Sequence, residues 1–160
     1  MPVAVARRTR CRRDERFAYD LAMDAANEIE AKLREFFSGR AEVEGLAAAW
    51  LFGSCARGTA RPDSDVDVAV LYVDAPPPGL EGLAFHLEAA LDGLLGRPTH
   101  LTVLNRASVD LAQRVLRDGL LLLDRDRSRR IRFEVRTRQE FWDFEPFLRR
   151  YRRTAEDPQQ

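Results

Sequence analysis

Residues 51–68, LFGSCARGTARPDSDVDV, join two apolar stretches through a polar turn. The residues before the turn, 46–52 (LAAAWLF), are apolar throughout and predict a buried strand. The residues after it, 65–73 (DVDVAVLYV), begin with strict polar and apolar alternation and predict a second strand. Because side chains alternate between the two faces of a strand, Asp65 and Asp67 are expected to point the same way.

Two carboxylates side by side repel each other unless a cation lies between them. Asp65 and Asp67 therefore predict a metal site, whereas Val66 and Val68 are expected to point into the core. Every donor is oxygen, which favours a hard cation, Mg²⁺ in the first place. The opposing interpretation is a strand that begins with two solvated acids, and the residues upstream argue against it.

The turn before the carboxylates contains residue types that suit a phosphate group. Gly53 and Ser54 follow the first strand directly, where backbone N–H groups can approach a phosphate and the Ser54 hydroxyl adds a donor. Arg57 supplies a guanidinium for phosphate oxygens, and Gly58 allows the turn to wrap. Together with the carboxylates they predict a site for a nucleoside triphosphate, with its α-phosphate at the metal, and hence nucleotidyl transfer.

The elements outside this stretch predict an α+β protein with a small mixed sheet flanked by helices, in the order α-β-β-α-β-α-β-α. Spacing of apolar residues predicts helices over 14–38, 80–95, 108–116 and 128–151 and further strands over 99–104 and 120–123. Ser108 is the expected cap of the third helix. Pro146 is expected to kink or divide the last helix.

The 160 residues predict a single domain, residues 1–160. Residues 1–13 are expected to form a flexible basic arm or the solvated start of a helix, and residues 154–160 a disordered tail. The 26 basic and 26 acidic residues cancel, but residues 1–16 and 125–160 each carry a net charge of +4 around an acidic middle. No whole basic face is visible, so nucleic acid is not an expected partner.

The apolar runs are too short to span a membrane, and no secretory signal is readable, which predicts a soluble, cytoplasmic protein. The two cysteines, Cys11 and Cys55, predict neither a disulfide framework nor a metal site. Cys55 is expected to be a small buried residue.

The motif resembles the signature of minimal nucleotidyltransferases in the DNA polymerase β superfamily. The matching positions are Gly53-Ser54, then Asp65-x-Asp67 after ten residues, with Ala56-Arg57-Gly58 and Ser64 between them. The resemblance implies that Gly53, Ser54, Arg57, Gly58 and Ser64 bind the triphosphate of ATP. It also implies that Asp65 and Asp67 bind Mg²⁺, with Mn²⁺ as the other candidate.

The resemblance further implies a biological role. Proteins of this family and size are frequently antitoxins that act on a helical HEPN toxin, and the characterised type transfers AMP from ATP to a tyrosine of that toxin. Two alternatives stay open: an antitoxin that only binds its toxin, and a transferase that acts on a small molecule or an RNA end.

The sequence departs from the family at the third strand, where a third carboxylate is usual. Alignment on 96–98 places His100 at that position, and no acid occurs between Asp92 and Asp110. His100 is expected to replace the third acid, either as a general base or as a ligand to a softer ion such as Mn²⁺. The other interpretation is an inert substitution in a protein that no longer transfers AMP.

Overall fold

The computed structural model describes residues 12–39, 45–61, 63–74 and 81–156. Its elements are α1 (Arg12–Gly39), β1 (Leu46–Phe52), α2 (Gly53–Ala56), β2 (Val66–Tyr72), α3 (Glu81–Leu95), β3 (Thr99–Val103), a 3₁₀ turn (Leu104–Arg106), α4 (Val109–Asp118), β4 (Leu120–Asp124) and α5 (Arg127–Glu156). The predicted α+β class is confirmed, as is the order of the eight predicted elements. The prediction of a simple polar turn after β1 was wrong at its start, because the turn begins with the short helix α2.

The four strands form one mixed sheet in the order β3-β2-β1-β4. β1 pairs antiparallel with both β2 and β4, whereas β2 and β3 run parallel. The end of β1 therefore lies beside the start of β2, and the start of β2 beside the start of β3. Phe52 is the register partner of Asp67, which in turn is opposite His100. This edge of the sheet collects the residues that the motif singled out.

Each face of the sheet is covered by its own apolar cluster. One cluster includes Val66, Val68 and Val70 together with residues of α1 and α3. The other includes Leu71 and Phe133 together with residues of α4. Because side chains alternate along β2, its odd-numbered residues, Asp67 among them, lie on the α4 and α5 face.

Local signals set the ends of α4 and α5 in different ways. The Ser108 hydroxyl accepts a hydrogen bond from the Leu111 N–H at 3.3 Å, so the predicted cap is confirmed. α5 runs without a break through Pro146 to Glu156, so the helix is not divided there. A proline removes only one helical N–H donor, and the helix continues on both sides of it.

Residues 154–156 belong to α5, and α1 begins at Arg12. The remainder of the predicted arm (1–11) and of the predicted tail (157–160) lies outside the described residues. Within the described ranges, no helix combines the length and the apolar character needed to cross a bilayer.

A bidentate ion pair joins β4 to α5 and provides a stability test. Arg130 donates from Nε and Nη2 to both carboxylate oxygens of Asp124, each at 2.9 Å. These hydrogen bonds hold the pKa of Asp124 below its ordinary value. We expect Arg130→Gln to lower the free energy of unfolding by about 1–2 kcal/mol at pH 7, measured by urea denaturation.

The pH dependence of this loss has a definite sign. Since the pKa of Asp124 is lowered in the folded state, its stabilisation is present above the unfolded pKa and disappears as the pH falls through the folded pKa. The difference between Arg130→Gln and wild type should therefore shrink below about pH 4. Arg138→Gln is the control, because Arg138 lies 3.8 Å from Glu134 with half its side chain exposed. An equal loss of unfolding free energy in both variants would contradict the stabilising role given to the pair of Arg130 and Asp124.

Candidate active site

Gly53 is the first residue of α2 and has a positive φ of 73°, a conformation that other residues rarely adopt. A Cβ added there would overlap Oδ2 of Asp67 and lie 2.9 Å from its Cγ. The carboxylate of Asp67 thus packs directly on the Gly53 backbone. The sequence predicted close approach of a phosphate at this glycine, and the structure shows close approach of the Asp67 carboxylate.

The rest of the turn is held by backbone hydrogen bonds. The N–H of Arg57 donates to the Gly53 carbonyl at 3.4 Å, and the N–H of Thr59 donates to the Ser54 carbonyl at 3.0 Å. Gly58 is buried and has a positive φ of 66°, which fits its predicted role in turning the chain. Gly53, Ser54, Arg57 and Gly58 therefore share one compact turn at the end of β1.

Two contacts fix the backbone at the start of β2. The Cys55 thiol donates to the carbonyl of Asp65 at 3.8 Å, and the N–H of Val66 donates to the carbonyl of Pro98 at 3.0 Å. Cys55 is 2% exposed, as predicted for a small buried residue, and burial raises the pKa of its thiol. The chain at Asp65 is thus tied to α2 on one side and to the loop before β3 on the other.

Three charged side chains lie close enough to Asp67 to shift its pKa. Burial raises the pKa of Asp67, and the negative charge of Asp65 raises it further, whereas His100 and Arg57 act in the opposite direction. Asp67 is half-buried, while Asp65, Arg57 and His100 are exposed. The structure therefore brings together the two predicted carboxylates, the predicted phosphate-binding guanidinium and the histidine at the third-strand position.

His100 occupies the place that the alignment predicted. It is opposite Asp67 in the parallel pairing of β2 with β3, so the two side chains lie next to each other on the same face of the sheet. Its side chain is exposed at the edge of the site. A group on this side chain is well placed to act at the same centre as Asp67.

Ser64, which is predicted to bind the triphosphate, forms hydrogen bonds within its own loop. Its hydroxyl accepts a hydrogen bond from the Arg61 N–H at 2.8 Å, and its own N–H donates to the Arg61 carbonyl at 3.0 Å. These bonds close the loop that leads into Asp65. The hydroxyl proton of Ser64 is still able to donate, because the bond to Arg61 uses only the oxygen.

Two charged residues near the site were not predicted from the sequence. Arg97, which precedes β3, is close enough to Cys55 to act on it electrostatically. Asp118, at the end of α4, interacts in the same way with Arg57, which therefore interacts electrostatically with two acids, Asp67 and Asp118. The position of Arg97 just before the third strand could have indicated that it lies near the site. No sequence pattern indicates that α4 approaches α2, so Asp118 could not have been found in this way.

The donor set fits a hard cation that receives further ligands from a substrate. In the described part of the chain, no three His, Cys, Asp or Glu side chains are grouped so that they could hold a metal ion. Asp65 and Asp67 supply carboxylate oxygens, and Mg²⁺ usually completes its shell with water and phosphate oxygens.

The comparison with known families agrees with this geometry. The profile of the family described as "Polymerase beta, Nucleotidyltransferase" matches residues 31–128, which include the turn, both carboxylates and His100. The chain belongs to this nucleotidyltransferase family. One relative of this nucleotidyltransferase is the protein adenylyltransferase MntA of Thermococcus cleftensis. The two sequences are 34% identical over 99 residues, which is 61% of this chain and 96% of the relative.

Solved structures show the same fold. A toxin–antitoxin crystal structure with AMP-PNP contains a chain that is 25% identical to this nucleotidyltransferase, with a TM-score of 0.66 over 79% of this chain and 98% of the other. A structure of tri-AMPylated Shewanella oneidensis HEPN toxin in complex with MNT antitoxin contains a chain with 22% identity and a TM-score of 0.58, over 84% of this chain and 98% of the other. The second likeness concerns the fold alone.

Proposed function

We propose that this nucleotidyltransferase is an antitoxin that transfers AMP from ATP to a hydroxyl, that of a tyrosine, on a HEPN toxin. The observation that carries the proposal is the pair Asp65 and Asp67 beside the turn that begins at Gly53. The adenylyltransferase activity named for the Thermococcus relative supports AMP as the group transferred. The toxin–antitoxin structure with AMP-PNP supports ATP as the donor and a toxin as the acceptor.

The turn after β1 supplies groups that bind the triphosphate. The first N–H groups of a helix have no acceptor within that helix, and the Ser54 hydroxyl adds a further donor. Arg57 pairs with phosphate oxygens through its guanidinium, and its exposure leaves it accessible to the nucleotide. Gly58 lets the loop fold back, and Ser64 donates its remaining proton.

Asp65 and Asp67 would hold the cation, Mg²⁺ or Mn²⁺. When bound, it supplies positive charge that stabilises the phosphate oxygens and the leaving pyrophosphate. The half-buried position of Asp67 suits this role, because a carboxylate with little access to water interacts more strongly with a cation.

The transfer is an in-line substitution at phosphorus. The acceptor hydroxyl oxygen forms a new bond to the α-phosphorus, the bond from that phosphorus to the bridging oxygen breaks, and pyrophosphate leaves with the electron pair. The hydroxyl proton passes to the unprotonated ring nitrogen of His100, because a neutral imidazole has one ring nitrogen that can accept a proton. The carboxylate of Asp67 beside it interacts electrostatically with His100.

Incubation of the purified protein with α-labelled ATP, Mg²⁺ or Mn²⁺ and the purified HEPN partner tests the proposal. Label is expected on the partner and should be absent with Asp65→Asn. A tight complex without label would contradict the transfer and support an antitoxin that only binds. Label on a small molecule or an RNA end, with none on the protein partner, would contradict the proposed acceptor.

The role of His100 has its own test. We expect His100→Asp to raise the rate of transfer by about tenfold or more, because the carboxylate both accepts the proton and provides a further oxygen for the cation. The measurement is the initial rate of partner labelling at saturating ATP. His86→Asp is the control, since His86 is exposed on α3 outside the site, and its rate should equal that of wild type. An unchanged rate in His100→Asp would refute this account of the third-strand position.

A further inference from the structure

A second concave surface lies where α5 crosses the end of β2 that is remote from the carboxylates. This α5 cleft has a volume of about 330 Å³, within the range of small-molecule sites. Its lining residues are Leu71, Asn105, Arg129, Arg132, Phe133 and Arg136. Half of them are arginines, and the cleft contains no acidic residue in its lining.

The positive charge of the α5 cleft is only partly balanced. Neither Arg129 nor Arg132 forms an ion pair with an acid of the residues that the structure describes. Arg136 lies with its Nε 3.6 Å from Glu140, and its guanidinium is 5.6 Å from the centre of the Phe133 ring. By contrast, Arg130, on the neighbouring face of the same helix, is fully engaged with Asp124 and Glu134.

The floor and one wall of the cleft consist of buried or hydrogen-bonded side chains. Leu71 and Phe133 are buried, at 1% and 7% exposure. The Asn105 amide is fixed by Tyr72, whose N–H donates to Oδ1 at 2.9 Å and whose carbonyl accepts from Nδ2 at 3.1 Å. Because an amide nitrogen carries two hydrogens, Asn105 keeps a second N–H for a ligand.

The α5 cleft is separate from the candidate active site. Leu71 follows Asp67 by four residues on the same strand and the same face. At the usual rise of a strand, the two positions are about 13 Å apart. A ligand of nucleotide size in the cleft would not occupy the carboxylate centre.

We propose that the α5 cleft binds a small phosphate-bearing molecule, a nucleoside monophosphate or free phosphate. Guanidinium groups bind phosphate oxygens in a bidentate manner, and three arginines line this cleft together with the Asn105 amide. The buried floor offers apolar surface to the remainder of such a ligand. A nucleic acid strand is the less favoured occupant, because the chain carries no net charge and the cleft has the size of one small ligand.

Isothermal titration calorimetry tests this proposal on the full chain carrying Arg57→Gln, Asp65→Asn and Asp67→Asn, in EDTA, so that the active site lacks the guanidinium and the carboxylates that would hold a nucleotide and its cation. The probes are AMP, inorganic phosphate and a decauridylate. Saturable binding of AMP or phosphate is expected. Arg129→Gln and Arg132→Gln, added singly, should each weaken it at least tenfold, since each removes a charge-assisted contact. Arg138→Gln, on the opposite side of α5, is the control and should bind like the parent.

The relative affinities of the three probes identify the ligand of the α5 cleft. AMP binding more tightly than phosphate supports a nucleotide as the ligand, and equal affinities support the free anion. Binding of the decauridylate alone, absence of saturable binding, or an equal loss in the Arg138→Gln control would overturn the proposal. Circular dichroism and thermal denaturation of each arginine variant separate a loss of binding from a loss of fold. The titration does not depend on AMP transfer, so failure of the proposed function would leave its result valid.

Discussion

Asp67→Asn is expected to abolish AMP transfer and at the same time to stabilise the fold at neutral pH. The loss of transfer should reach roughly 10³-fold, because the variant gives up several kcal/mol of charge stabilisation at the phosphate. The stability gain follows from burial, which raises the pKa of Asp67 and so makes its ionised form unfavourable in the folded protein. The asparagine has nearly the same shape and no charge.

The sign of the pH dependence follows from linkage. A carboxyl whose pKa is raised in the folded state destabilises the fold when both states are ionised, and this effect vanishes once the pH falls below the unfolded pKa. The Asn variant should therefore unfold at higher urea concentration than wild type at pH 7 in EDTA. The two proteins should converge near pH 3.5, a little below the ordinary value of 3.8.

Asp65→Asn provides the matched comparison for Asp67→Asn. Asp65 is exposed, so its replacement should remove transfer to a similar extent with a smaller gain in stability. A loss of stability in Asp67→Asn at pH 7 would show that the carboxylate is favourable in the fold and would refute the account given for its pKa.

Gly53→Ala is expected to reduce transfer by roughly 10²-fold or more and to destabilise the protein by about 1–2 kcal/mol. The positive φ of 73° disfavours a side chain, and the new Cβ would displace the Asp67 carboxylate from its position. The rate of partner labelling and the urea midpoint together measure both effects.

Gly93→Ala is the control for this substitution. Gly93 lies within α3, and a Cβ there would meet nothing within 4 Å. Alanine should therefore raise the free energy of unfolding by about 0.5–1 kcal/mol and leave transfer unchanged. Full transfer activity in Gly53→Ala would contradict the placement of Asp67 on the Gly53 backbone.

The strands of the site could be predicted because their sequence signals are local. β1 ends at Phe52 as predicted, since a run of apolar residues stops at a glycine. β2 was predicted within one residue at each end from the alternation that follows Asp65. By contrast, α2 was missed, because a helix of four residues is too short to show a helical period.

The relation between His100 and Asp67 depends on the pairing of β2 with β3, which no local pattern encodes. The family resemblance supplied it, because the alignment placed His100 at the third-strand position before any register was known. The α5 cleft was predicted neither by a local sequence pattern nor by the family resemblance. Arg129, Arg132 and Arg136 are spaced to share one side of a helix, but only the packing of α5 on the sheet decides which side stays open.

The contact between Gly53 and Asp67 also predicts how related sequences should vary. A glycine that is shaped around a carboxylate loses that constraint when the acid is lost, so the two positions should change together. Family members that retain the fold but have a small neutral residue at the place of Asp67 should tolerate a side chain at the place of Gly53, provided that the local backbone relaxes from its positive φ. The residues at the positions of Gly53 and Asp67 would then distinguish active transferases from family members that retain the fold without the activity.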